Sequence, residues 1–573
     1  MRLSVTMWSP PSPHQTRGER AGERGSQSSR SRCARGAWWR PLTHLFCGWL
    51  IVAGLTAVIP WRLTAAETPE NPPKPAPEKA ADKPADKPTA DAAKAKPAKE
   101  ESEEKKTDTK HSITAQGHKI DYTARAGFLT LKDRENKPTA DLFYIAYTQD
   151  GNTNLAHRPV TFSFNGGPGS SAVWMELGLL GPRRVVLEKD GGPVPPPYRL
   201  QDNEFTLLGD TDLVFIDPVG TGFSRATKAD DARRFYGVQE DVASVADFIR
   251  LYTTRNARWP SPKFVIGESY GTTRAAALSG ELHDRHRMNL NGIMLVSTVL
   301  NFQTLAQGRG NDLGFVLYLP TYCAVAWYHK KLPDDSQRKP LAEVLAAVDA
   351  FAEGDYQMAL LQGDGLPPEK RRKVVEQTAR FTGLSVDLVD RLDLRIPLSR
   401  FNIELLRKED EVIGRFDGRY RGRVRDRAAS SAPYDPSAEA VFSAFASTFN
   451  HYVRHELKYE NDQPYELLAS VGPWDWGANN SFLNVGETLA DNLTRQPFLL
   501  VHVSSGFFDQ ATPYFATRYT FNHLGLDPVL AKNVTLDYYT AGHMMYLNEP
   551  DLQKQHQDLA RFIRRACGPN RQP

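Results

Sequence analysis

Cysteine is scarce: the 573-residue chain has four, Cys33, Cys47, Cys323 and Cys567. The first two lie in an N-terminal leader, so the body holds at most one disulfide, and a disulfide-stapled scaffold is excluded. No spacing of Cys and His resembles a zinc site. Whether Cys323 and Cys567 pair is left open by the sequence. A basic body is lacking as well. The net charge is +3, yet residues 1–66 carry nine arginines against two glutamates, which leaves the remainder at −4. A mildly acidic body argues against nucleic acid as a partner. The apolar run Phe46–Ile59 is shorter than the roughly 20 residues that a membrane span needs. No internal repeat is present.

That run follows a long Arg- and Ser-rich stretch and precedes Pro60 and Thr64-Ala65-Ala66. A positive region, an apolar region and small residues in that order describe a secretory signal peptide over 1–66, hence export to the periplasm or outside. A retained signal anchor is the alternative. Residues 67–110 are rich in Pro, Ala, Lys and Glu and have no aromatic residue. Such a segment buries too little surface to offset its ordering entropy and is expected to be a disordered linker.

Order is expected from about His111. Ile120–Ala124, Phe128–Leu131 and Leu142–Thr148 alternate as antiparallel strands do. Further strands are expected at Arg158–Phe164, Thr211–Ile216, Lys263–Ile266 and Ile293–Leu300. Between them, Val242, Val245, Phe248, Ile249 and Tyr252 recur at helical spacing. The alternation predicts an α/β fold, a mainly parallel sheet flanked by helices, with a first core part over 111–300. Residues 301–492 read as helical throughout and are expected to form an inserted cap. Strands at Phe498–Ser504 and Val534–Tyr539 and a helix over Leu552–Ala566 complete the core over 493–573.

Chemistry is concentrated where Lys263–Ile266 meets the next helix, at Gly267-Glu268-Ser269-Tyr270-Gly271. A strand that turns sharply into a helix strains its turn residue and needs small neighbours; it lifts a serine hydroxyl to the positive end of the helix. Ser269 is therefore the candidate nucleophile. A serine needs a base, and the base needs an orienting acid. Asp509, just past one late strand, and His543, after the Ala541-Gly542 turn, stand in the required chain order. Backbone N–H groups of Tyr270 and of the Asn165-Gly166-Gly167 turn are candidates for an oxyanion hole. His502, inside a strand, reads as structural.

Four motifs together resemble the serine carboxypeptidase family: NGGPGSS at Asn165–Ser171, GESYG at Gly267–Gly271, Asp509 with Ala516–Tyr519 behind it, and AGHM at Ala541–Met544. The resemblance spans roughly residues 111–567. It implies an α/β-hydrolase fold with a helical cap and removal of C-terminal residues from peptides. It also implies a Ser269–Asp509–His543 triad with no metal or organic cofactor, and oxyanion donors at Gly167 and Tyr270. Asn165 and Glu268 would hold the substrate's terminal carboxylate. A protonated Glu268 can donate to a carboxylate, whereas an ionised one repels it; family members raise that pKa by burial and by pairing with a second glutamate. Counted without gaps, the second glutamate's place falls on Leu179. Either Glu176, one helical turn earlier, takes the role, or the pair is missing; a short deletion in the turn would align Glu176-Leu177-Gly178 with the family's Glu-Leu-Gly. Ser170 stands where many members have a disulfide cysteine.

The expected function is thus an exported serine carboxypeptidase acting on peptide or protein C-termini, with no lasting membrane span after cleavage. Its rivals are an esterase or acyltransferase on the same fold and a non-catalytic binding protein on a hydrolase scaffold. Side-chain preference and oligomeric state are not legible.

Overall fold

A computed structural model describes residues 105–568; the expected signal peptide and residues 67–104 of the expected linker lie outside them. Three long antiparallel strands open the sheet: β1 (Lys106–Ala115), β2 (His118–Lys132) and β3 (Pro138–Gln149). Six short parallel strands follow: β4 (Val160–Phe164), β5 (Asp212–Ile216), β6 (Lys263–Glu268), β7 (Gly292–Val296), β8 (Leu500–Gly506) and β9 (Val534–Tyr539). They lie in the order β1-β2-β3-β5-β4-β6-β7-β8-β9, and β3 meets β5 antiparallel. A two-residue strand, Arg225–Ala226, adds to the edge of β3.

The long helices are α1 (Val238–Arg255), α2 (Tyr270–His286), α3 (Leu313–Tyr328), α4 (Leu341–Phe351), α5 (Pro368–Thr382), α6 (Pro436–His455), α7 (Gly486–Arg495), α8 (Tyr514–Asn522) and α9 (Glu549–Cys567). Strands β4 to β8 are buried along their whole length, so both faces carry apolar side chains. In β6, Phe264 and Ile266 point into one core with α6 and α9, while Val265 points into the other with α1, α2 and α7. This is the expected mixed, mainly parallel sheet flanked by helices.

Three expectations are corrected. First, β1 begins at Lys106, inside the segment read as linker. Its inner positions Thr107, Thr109, His111, Ile113 and Ala115 alternate with exposed charged and polar residues, an edge-strand pattern that composition alone mistakes for a tether. Second, the two strands expected at Ile120–Ala124 and Phe128–Leu131 are one. Gly127 does not break it: a Cβ there would lie 2.8 Å from the Lys105 carbonyl oxygen, so the glycine admits β1 at close range.

Third, the expected insertion 301–492 does not pack as one body. Helices α3, α4 and α5 share a separate apolar core, with α3 buried on nearly every side. By contrast α6 packs its Phe445 and Phe449 into one sheet core, and α7 packs Leu489 and Leu493 into the other. A helical period shows that a face is buried but not which layer receives it. Cys323 is a buried thiol outside any disulfide, so it does not pair with Cys567. No helix of the described residues is long and apolar enough to cross a membrane.

At the N-terminal ends of the parallel strands, away from Ser269, the carboxylate of Asp212 lies between Arg158, at 2.9 Å, and Arg258, all three buried. Removing one partner from a buried charge cluster strands the others. Asp212→Ala should lower unfolding free energy by about 3–5 kcal/mol in urea titration. A loss below about 1 kcal/mol would show that water reaches the two guanidinium groups.

Candidate active site

Ser269 sits between β6 and α2 at φ 60°, ψ −129°, the strained turn its flanking residues predict. The glycines are sterically required. A Cβ at Gly267 would lie 2.0 Å from the Gly271 carbonyl oxygen, and one at Gly271 2.9 Å from that of Phe164. The Ser269 N–H donates to the Val296 carbonyl at the end of β7 (3.0 Å). Tyr270 opens α2, so its N–H has no acceptor within the helix, and no side chain caps it. The Asn165–Gly167 turn, at the end of β4, lies against that N–H: a Cβ on Gly166 would sit 2.5 Å from the Tyr270 nitrogen. Gly167 has φ +102°, a backbone shape that L side chains rarely adopt.

His543 and Asp509 are brought together. The imidazole Nδ1 is 2.8 Å from Asp509 Oδ2, and both residues are buried. The other carboxylate oxygen accepts from the N–H groups of Ala511 (2.8 Å) and Thr512 (2.9 Å), while the Thr512 hydroxyl donates to Oδ2 (2.6 Å). Burial pulls the imidazole down, but the Asp509 charge and hydrogen bond outweigh it and leave His543 above its ordinary value. The next residue along from Val296 ties His543 to Ser269: the Ser297 hydroxyl donates to the His543 carbonyl (2.6 Å). Ser269 and His543 therefore hang from consecutive residues of one strand end.

Glu268 is buried. Its Oε1 accepts from the Asn165 amide at 3.0 Å, and its Oε2 has no partner among the described residues, with the buried Tyr546 hydroxyl nearby. Burial pushes its pKa up, against the pull of His543. The Asn165 amide oxygen accepts from the Met175 N–H (3.3 Å), which fixes the side chain's orientation. Glu176 is buried as well. It accepts from the Tyr147 hydroxyl (2.6 Å), itself 3.0 Å from the Tyr452 hydroxyl, and burial pushes it up to about 8. It opens a five-residue π-turn, Glu176–Leu180, the form in which a helix absorbs an extra residue. Asp217, close enough to raise Glu176 further, is also buried and is pushed up to about 7 by burial.

Several supporting residues have no sequence signature of their own. Phe416 stacks on the His543 ring at 5.2 Å and takes the His543 N–H on its carbonyl, and Asp417 accepts from the Gly542 N–H (2.9 Å). Thr512 follows Asp509 by three residues, a spacing at which a hydroxyl can close a turn, and is the nearest to a readable signal. Arg274, buried, bonds Asp241 at 2.8 Å and the Asn165 carbonyl at 2.6 Å, and stacks on Tyr270. Tyr270 and Arg274 are four apart on α2, so a shared role for that face was open to inspection. His502 lies within β8, where burial lowers it to about 4 and keeps it neutral.

Sheet order, strand–turn–helix serine and flanking helices define an α/β-hydrolase. Residues 115–543 match the family model described as serine carboxypeptidase, and the chain belongs to that family. It is 25% identical over 226 residues to serine carboxypeptidase-like 35 of Arabidopsis thaliana, covering 38% of this chain and 42% of that protein. It is 33% identical over 156 residues to the pheromone-processing carboxypeptidase KEX1 of Saccharomyces cerevisiae, covering 25% of this chain and 20% of that one. The matched segments thus span less than half of these relatives. The crystal structure of KEX1(delta)P, a prohormone-processing carboxypeptidase from the same yeast, overlays with a TM-score of 0.49 at 15% identity, over 77% of this chain and 91% of the other.

Glu176 carries a stability consequence. Between its ordinary 4.5 and about 8, the folded chain keeps a proton that the unfolded chain has released, so stability falls as pH rises through that window. Glu176→Gln preserves an acceptor for Tyr147 and removes the titration. Its melting temperature should fall less than that of the wild type between pH 5 and pH 8. Equal falls would show that Glu176 is ionised at neutral pH.

Proposed function

We propose that the protein is an exported serine carboxypeptidase. Ser269 attacks the last peptide carbonyl, and His543 takes the Ser269 proton and delivers it to the leaving amine. Asp509 holds the imidazole in the tautomer that leaves Nε2 unprotonated and stabilises the imidazolium. The Gly167 and Tyr270 N–H groups receive the oxyanion. Water then enters by the same route, with His543 as base, and hydrolyses the acyl-enzyme. This chemistry runs on side chains and backbone alone. The basic and apolar segments of residues 1–66 support export.

One observation carries the reading beyond a generic hydrolase: a buried carboxyl, Glu268, adjoins the nucleophile, bonded to Asn165 on one oxygen and unpartnered on the other. Protonated, it donates to a terminal carboxylate; Asn165 adds its amide. Ester or acyl transfer is the second reading, favoured by the engagement of Glu176 with Tyr147 rather than with Glu268. C-terminally amidated peptides separate the two, since only a carboxypeptidase turns them over far more slowly than free acids.

The purified protein, incubated with a peptide mixture and read by mass spectrometry, should produce ladders shortened one residue at a time from the C-terminus. Ser269→Ala and His543→Ala should each abolish them, as members of one proton-transfer unit, while remaining folded. Internal cuts, or either variant within tenfold of wild type, would overturn the assignment.

Glu268 predicts the pH profile. Its raised pKa means that carboxylate binding is intact below that pKa and lost as pH rises through it. Wild-type kcat/KM on peptide acids should fall toward alkaline pH by this route, and Glu268→Gln should abolish that limb. A limb unchanged in Glu268→Gln would assign it to another group.

A further inference from the structure

Arg415 has no part in the mechanism above, yet its segment is bonded to the loops of Asp509 and His543. The segment Gly414–Gly418 bridges the loops of the acid and the base. Its Gly418 N–H donates to the Phe508 carbonyl (2.9 Å) and its Arg415 carbonyl accepts from the Gln510 N–H (3.2 Å), on either side of Asp509. On the other flank the Phe416 carbonyl takes the His543 N–H. The backbone at Arg415 is thus fixed against both catalytic loops.

The Arg415 guanidinium lies over the Phe416 ring at 5.5 Å, and that ring stacks on the His543 imidazole. It is near enough to His543 and to the Tyr318 hydroxyl to act on both electrostatically. It makes no ion pair or side-chain hydrogen bond among the described residues, and the residue is exposed. Asp435, which precedes α6, meets this segment through the Arg415 N–H (3.1 Å) rather than the guanidinium, and the same oxygen accepts from the Ser437 N–H (3.0 Å) and hydroxyl. Arg419, on the same segment, is by contrast neutralised by Asp417 at 2.7 Å.

His543 must reach the nitrogen of the leaving residue, so that residue lies on the imidazole side of the scissile bond. A cation held on the Phe416 ring that stacks on the imidazole is placed to meet the leaving residue's side chain, while Asn165 and Glu268 take its α-carboxylate. We propose that Arg415 is a specificity-determining residue that selects peptides ending in Asp or Glu. The assignment rests on the carboxypeptidase reading. Arg415 donates to the side-chain carboxylate as the peptide binds, and the partly exposed pair is strongest at low ionic strength.

The test compares N-blocked dipeptides that end in Glu, Gln or Lys and differ only in the terminal side chain. Ratios of kcat/KM taken within each enzyme cancel any general loss caused by a substitution. Wild type should favour Glu over Gln by roughly tenfold, the scale of one hydrogen bond to a charged group. The preference should shrink as salt is raised. Arg415→Gln should bring the ratio near one, and Arg415→Glu should turn it toward Lys. A wild-type ratio near one, or a ratio unchanged in Arg415→Gln, would overturn the proposal while leaving the carboxypeptidase reading intact. Wild type that releases no residue from any peptide would overturn both.

Discussion

The site depends on how closely two stretches of backbone approach where β6 turns into α2. Gly267 and Gly271 touch across the turn, and Gly166 lies against the Tyr270 nitrogen. Any side chain at these positions would push apart Ser269, the helix N-terminus and the Asn165–Gly167 turn. The strain of Ser269 at positive φ is held in place by its N–H bond to Val296 and by α2, which is buried along most of one face. Once this geometry exists, the Tyr270 N–H has nowhere to go but outward, and the adjacent Glu268 has nowhere to go but into the protein. The elbow thus dictates both an electrophilic pocket and a buried acid.

The Asp509 and His543 loops solve a different problem: two loops apart in sequence must present side chains about 3 Å apart. Sheet order brings them near, since β8 and β9 are neighbours. It does not lock them. Locking comes from Gly414–Gly418, whose carbonyls and N–H groups satisfy both loops, and from Thr512, whose N–H and hydroxyl hold one Asp509 oxygen each. The apolar core of α3, α4 and α5 includes Phe508, Tyr514 and Phe515, so the same helices that stand apart from the sheet are anchored on the loop of the acid.

What could be read in advance follows from this division. The elbow is local, and a strained turn between a strand and a helix constrains residues within five positions of each other. Asp509 and His543 are legible because chain order and strand ends constrain them. Phe416, Asp417 and Arg274 are not, because each acts across a fold that no local period encodes. The polar edge strand β1 was hidden for the opposite reason: its composition is that of a solvated tether, and only pairing with β2 gives its threonines a half-buried face. The cap boundary failed because α6 and α7 have the same amphipathic period as helices that pack elsewhere.

Glu176 shows how one extra turn residue redistributes charge. The π-turn over Glu176–Leu180 turns the chain at Gly181, whose N–H closes on the Glu176 carbonyl (2.9 Å). In that setting the Glu176 side chain meets Tyr147 on β3. A buried carboxyl bonded to a single phenol is cheaper to keep protonated than to ionise, because burial removes solvation that one hydroxyl does not replace. The pKa of Glu268 is raised first by its own desolvation, against the hydrogen bond from Asn165. The protonation of Glu268 is therefore tied to packing, and a substitution that lets water reach it would lower its pKa without touching a charged residue.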